Sequence, residues 1–270
     1  MNAPSEFHPL NIERHASRFW RRVSSYDFAA HQPLLPLSGP ELFHAALALP
    51  IAFIPQEDIF SCVAVVGTRD GECLYVAPDG RWLAGYMPAK LRSYPFALAA
   101  IEGDQFALCM DEASGLLSSS PQDEPFFKDG KLAPSLHRVL EFLGQIQASN
   151  ALTQQACAAL HTHGVLKPWA ITLQDAAGAQ RKVEGLFCVD EVAFNKLDDS
   201  DFLDLRRCGA LAVAYAQLMA MQHIQALGAL AATRDRALAA KAALTQLPTT
   251  AAGDLDLSFM EGDTLRFSSP

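Results

Sequence analysis

Hydrophobic and polar positions change period along this chain, and the change divides it. Between residues 51 and 87 the apolar runs IAFI, FSCVAVVG, ECLYVA and RWLAGYM are separated by PQED, TRDG and APDG. Short apolar runs punctuated by Gly, Pro and Asp are strand signals. FALAAI and QFALCM, on either side of EGD, predict a hairpin with Gly103 and Asp104 at its tip. These connections are too short for helical crossovers, so the sheet is expected to be largely antiparallel.

SSSPQDEPFFKDGKLAPS (118–135) interrupts the pattern, and a helical period follows. Leu136, Val139, Leu140, Leu143 and Ile146 fall on one face, with Pro134 near the start. Thr153 reads as the N-cap of a second helix, TQQACAALHTH, and Gly164 as its stop. WAITLQDAAGAQRKVEGLFCVDE reads as two strands joined around Ala177 and Gly178. From Ser200 a long helical region opens with Asp201 and Asp204, which suit the positive end of a helix dipole. It is expected to reach about Leu247, with breaks at Gly209 or Gly228. Upstream, GPELFHAALALP predicts a short helix that starts at Pro40 and turns Leu42, Phe43, Ala46 and Leu49 inward. The tail segment DLDLSFM alternates like an edge strand. The expectation is an α+β fold: a mixed, mostly antiparallel sheet with helices packed on it and a long C-terminal helical region. Residues 1–39 would form an arm, 40–247 one domain and 248–270 a tail.

Composition narrows the function classes. Half the 270 residues are apolar and the net charge is -9, which argues against a phosphate-backbone binder. RHASRFWRR (14–22) is the one dense basic stretch, and a solvated helix end explains it. Cys62, Cys73, Cys109, Cys157, Cys188 and Cys208 form no CxxC pair and sit among apolar neighbours, as reduced buried thiols do. With no signal-peptide core at the start, a cytoplasmic protein is expected. GALAVAYAQLMAMQHIQALGALAAT (209–233) is long enough to span a bilayer, but Gln217, Gln222, His223 and Gln225 would be costly there. A core helix, or one at a homodimer contact, fits better, and no membrane association is expected.

Common chemical signatures are missing: the chain has no glycine-rich phosphate loop, HExxH or GxSxG. His161 and His163 diverge at a helix end, and no metal or cofactor is expected. His44 reads as a hydrogen-bonded core histidine. Asp111–Glu112 and Asp190–Glu191 follow strands and read as caps of the next turn. The densest aromatic stretch is GRWLAGYMPAKLRSYPFAL (80–98). There Trp82, Tyr86, Tyr94 and Phe96 could line a groove and Arg92 could offer a two-pronged grip to a carboxylate. The same residues suit a structural corner equally well, with the guanidinium stacked on rings and Pro88 and Pro95 fixing the bend.

The order of motifs resembles the bacterial SapC family. It is carried by His15, by Glu41 with LPIAFIP (49–55), by GRWLAGYMPAKLRSYPF (80–96), by LFCVDEVAFNKL (186–197) and by Gly209-Ala210-Leu211. The similarity spans about residues 10 to 230, and Met87 stands where the pattern has Val. The family name points to surface layers, and the resemblance brings no catalytic residues. It implies genes that neighbour those for flavin-dependent halogenase-like proteins, cupin-type hydroxylases and TonB-dependent receptors, with the halogenase-like and hydroxylase-like proteins as expected partners. Together these readings give a non-catalytic binding or accessory protein that recognises a peptide or protein partner through Trp82, Tyr86, Arg92, Tyr94 and Phe96. An enzyme acting on a peptide or amino-acid substrate is the alternative, and a surface-layer or structural component the third.

Overall fold

The structure, a computed structural model, describes residues 6–56, 59–103, 105–174 and 178–245. Asp104, Ala177, the helix end expected near Leu247 and the DLDLSFM strand lie outside these residues. The architecture is α+β with antiparallel sheets, as expected. At its centre Ile51–Gln56 and Ile59–Val65 pair antiparallel, from Ile51↔Ala64 to Gln56↔Ile59. Leu34–Pro36 extends this sheet on one side, and Phe187–Val189 followed by Leu166–Pro168 on the other. Ile51, Ala52 and Phe53 are consecutive and fully buried, so both sheet faces are covered, and this gives the strand its unbroken apolar run.

FALAAI and QFALCM form the expected hairpin, Phe96–Ile101 with Gln105–Asp111, and Phe7–Pro9 adds a third strand. Phe19–Trp20 lies between Leu117–Ser118 and Glu124–Pro125. The first forty residues therefore supply strands to three separate sheets. They are also clamped: Arg14 grips Glu112 through two bonds of 2.7 Å, and buried His15 sets its Nε2 3.2 Å from the same carboxylate. The basic stretch around them is short helix and strand, and Arg22 pairs with Glu124 at 2.7 Å.

The principal correction concerns residues 134–162, which form one helix, Pro134–Thr162. Thr153 is in its interior, bonding back to the Ser149 carbonyl (2.8 Å) while its hydroxyl accepts from Gly39 N (2.8 Å). Twenty-nine residues give a rod of about 43 Å. Its first half presents Leu136 and Leu143 to a small core around Trp20, Phe96, Met110 and Phe126. Its second half presents Ala156, Cys157 and Leu160 to the large core beneath the five-stranded sheet.

Other expectations fail for identifiable reasons. ECLYVA and RWLAGYM are not strands: they pair only as the isolated bridge Val76↔Trp82, beside which Leu83 N donates to the Tyr75 carbonyl at 2.8 Å. The Cys73 and Val76 carbonyls are instead satisfied by the Arg234 guanidinium, at 2.8 and 2.5 Å, so this buried segment needs no neighbouring strand. The helix after Pro40 is short, Leu42–Ala46, and leaves Phe43 56% exposed and His44 on the surface. Residues 169–191 supply three strands: Ile171–Gln174 and Gln180–Val183 make a hairpin, and Phe187–Val189 joins the large sheet.

Asp198 caps Asp199–Arg207, and Gly209, at φ 76°, breaks the chain before Ala210–Ala220. A turn at Met221–His223 makes the next break, and Gly228 lies inside Ile224–Thr245. Among the described residues no helix is long and apolar enough to cross a membrane.

All six cysteines are free thiols, with five buried and Cys208 half-buried. Burial pushes the Cys62, Cys73, Cys109, Cys157 and Cys188 thiols up, with Cys157 at about 12. Thiol labelling of the native protein is expected to reach Cys208 first and the other five only in denaturant. Mass mapping that finds Cys62 or Cys157 labelled as early as Cys208 would contradict this packing.

Candidate functional site

The aromatic–arginine stretch folds around one buried carboxylate. Ser38 and Glu41 form a capping box at the start of the short helix, Glu41 Oε1 accepting from Ser38 N (2.9 Å) and Ser38 Oγ (3.1 Å). Glu41 Oε2 reaches across to accept from Tyr86 Oη (3.0 Å) and Ala89 N (2.7 Å). Trp82 Nε1 in turn donates to the Tyr86 carbonyl at 2.8 Å, while its ring lies 5.7 Å from Tyr75. Glu41 thus pins residues 82–89 to a helix some forty positions upstream. Desolvation, with the Glu41 charge adding to it, pushes the Tyr86 hydroxyl up to about 12, so this phenol stays a donor at any ordinary pH.

The five residues singled out from the sequence divide between two surroundings. Phe96 is interior, 3% exposed and edge-on to Trp20 at 4.9 Å. Trp82 belongs to the pinned corner. Tyr86 has its ring half-buried and its hydroxyl taken by Glu41. Tyr94 stacks on Phe28 (3.7 Å, 10°) and sets its hydroxyl 3.4 Å from Asp111 Oδ2, and burial raises that hydroxyl to about 12. Arg92 alone is on the surface. Its guanidinium lies 4.8 Å over the Phe142 ring and 5.8 Å from that of Tyr86, and donates to Tyr86 Oη at 3.2 Å.

Arg92 and Phe142 form a ridge between two hollows. One, of about 390 Å³, is bounded by Tyr86, Glu41, Pro40 and Gln145. The other, of about 510 Å³, has walls of Trp20, Tyr26, Tyr94 and Phe142 and carries Arg22, Arg92 and Arg138. No Asp, Glu, His or Cys lines this larger cleft. On the far side of Tyr94 a third hollow, about 440 Å³, holds Asp111, Lys90 and Phe28. Among the described residues no group of three His, Cys, Asp or Glu side chains could hold a metal ion.

Sequence reasoning named Arg92, Tyr94 and Phe96 at this cleft but not Arg22, Tyr26, Arg138 or Phe142. Arg138 and Phe142 are four residues apart, so the helical period places them on one face of the long helix. That spacing was the available signal. The partner face, contributed by residues 20–26, is set by tertiary packing alone.

The chain belongs to the SapC family, whose family model matches residues 10–227. No curated protein and no solved structure matches it. Glu41, Tyr86, Arg92 and Tyr94 all fall within the matched residues.

Proposed function

We propose that this protein is a non-catalytic binding or accessory protein that holds a segment of a peptide or protein partner in the cleft between residues 20–26, Arg92–Phe96 and the long helix. One observation carries the reading: a cleft of about 510 Å³ walled by aromatic rings and arginines, with no carboxylate, imidazole or thiol in its lining to act as a base or to activate the Ser93 and Ser135 hydroxyls there. Rigid aromatic walls and arginine are the side chains that dominate recognition energetics. The tyrosines beside the cleft, held near 12, add no base, and their hydroxyl protons point to Glu41 and Asp111. The halogenase-like and hydroxylase-like proteins suggested by the resemblance are candidate partners for the same surface.

Selection of a random displayed peptide library on the purified protein tests the reading. Enriched peptides should compete with one another and lose at least tenfold in affinity to Phe142→Ser or Arg92→Ala. Arg92 is exposed and makes one hydrogen bond, so Arg92→Ala should shift stability by no more than about 1 kcal/mol. A melt lowered by many degrees would return Arg92 to a structural role. Peptides enriched equally by wild type and both variants would place binding elsewhere.

A further inference from the structure

We infer that the occupant of this cleft is acidic: a peptide segment whose carboxylates lie against Arg92 and Arg138 and whose apolar side chains enter between Tyr26, Tyr94 and Phe142. The inference rests on the binding reading above and specifies the partner's chemistry. Charge is the first support. The chain carries a net charge of -9, yet the cleft gathers three arginines and no acid. Arg22 is already held by Glu124 at 2.7 Å. Arg92 uses one donor on Tyr86 Oη, and Arg138, exposed on the long helix, has no hydrogen-bond or ion-pair partner among the described residues. A guanidinium offers five N–H donors in a planar fork that matches a carboxylate, so most of the cleft's donor capacity is unspent.

The second support is independent of the arginines. Trp20 is 7% exposed, and its indole Nε1 is a buried donor with no acceptor. Buried donors are almost always paired, because an unpaired one forfeits its hydration with no return. Trp20 lines this same cleft. An occupant rich in acceptor oxygens supplies what the guanidinium groups lack as they stand, and it pairs with the closed-off indole N–H where the cleft wall at Trp20 parts on binding. The stacking of Arg92 on Phe142 holds the charge at the edge of an aromatic wall, so one segment can meet both with alternating acidic and apolar side chains.

Three fluorescein-labelled peptides test this: an alternating glutamate–phenylalanine octamer and its counterparts with glutamine or lysine in place of every glutamate. Fluorescence anisotropy should show the acidic peptide binding at least tenfold tighter than the glutamine peptide, with the lysine peptide weakest. The preference should shrink as salt rises from 50 to 500 mM. Arg138→Ala, on an exposed helical face, should retain the wild-type melt and cut the acidic peptide's affinity about tenfold, well beyond its effect on the glutamine peptide. In an ¹⁵N–¹H spectrum the indole resonance lost in Trp20→Phe should move with the acidic peptide. Equal affinity for the acidic and glutamine peptides, with competition at the cleft, would overturn the acidic inference and leave the binding reading standing. Failure of all three to bind at millimolar concentration would overturn both.

Discussion

Glu41→Ala is expected to lower stability by about 3–5 kcal/mol, because four donors, buried or half-buried, share this one carboxylate and none is bonded to another acceptor among the described residues. Glu41 is 5% exposed, so water can approach its donors only from the hollow beside Tyr86. The loss should propagate along the chain. Without Oε2 the Ala89 N–H and the Tyr86 hydroxyl are left unpaired, and with them goes the restraint that sets Tyr86 beneath Arg92. Urea denaturation measures the loss directly. Glu41→Gln should lose less, about 1–3 kcal/mol, since the amide retains one acceptor oxygen but turns an N–H₂ toward two donors. A midpoint for Glu41→Ala within about 0.5 kcal/mol of wild type would mean that residues 82–89 hold their shape without the carboxylate.

Where local pattern and tertiary demand agree, the fold was legible. The hairpin 96–111 and the strands at 51–65 have alternating or continuous apolar runs bounded by turn residues, and they formed in the expected places. Thr153 misled because a hydroxyl that caps one helix can equally bond back to a carbonyl within another, and the deciding partner, Gly39 N, is more than a hundred residues away. ECLYVA misled because its apolar count is that of a strand, while its Cys73 and Val76 carbonyls are met by Arg234 from the helix Ile224–Thr245. The candidate site shows the same division. Tyr86, Arg92 and Tyr94 are close in sequence and were found together. Whether they made a corner or a cleft was undecidable from the residues because they make both: Glu41 fixes the corner, and Phe142 and Arg138 complete the cleft from another element.

Gln217 gives the other large effect, and it was read from sequence only as a polar group too costly for a membrane. The structure shows what it does. Phe187–Val189 meets Ile51–Gln56 through the single antiparallel pair Phe187↔Phe53. Continuing that register would set Val189 opposite Ile51, where no ladder rung forms. The fully buried Gln217 side chain, from the helix Ala210–Ala220, fills that place: its Oε1 accepts from Val189 N at 3.0 Å and its Nε2 donates to the Ile51 carbonyl at 3.2 Å. A primary amide carries one acceptor and one donor group in the arrangement a peptide would offer, so it substitutes for the missing rung. Gln217→Leu conserves volume but strands a buried N–H and a buried C=O. It should therefore cost about 2–5 kcal/mol. Gln217→Glu keeps the acceptor for Val189 but sets a carboxylate against the Ile51 carbonyl, so at neutral pH it should cost at least as much. Burial would hold that carboxyl's folded pKa above its unfolded value, and the folded state would bind the extra proton. The variant's stability relative to wild type should then rise as pH falls from 8 to 5, once a protonated carboxyl can donate to Ile51. Urea midpoints for the wild type and both variants across that range provide the measurement. A Gln217→Leu midpoint equal to wild type, or a Gln217→Glu deficit indifferent to pH, would show that the two strands hold together without the amide between them.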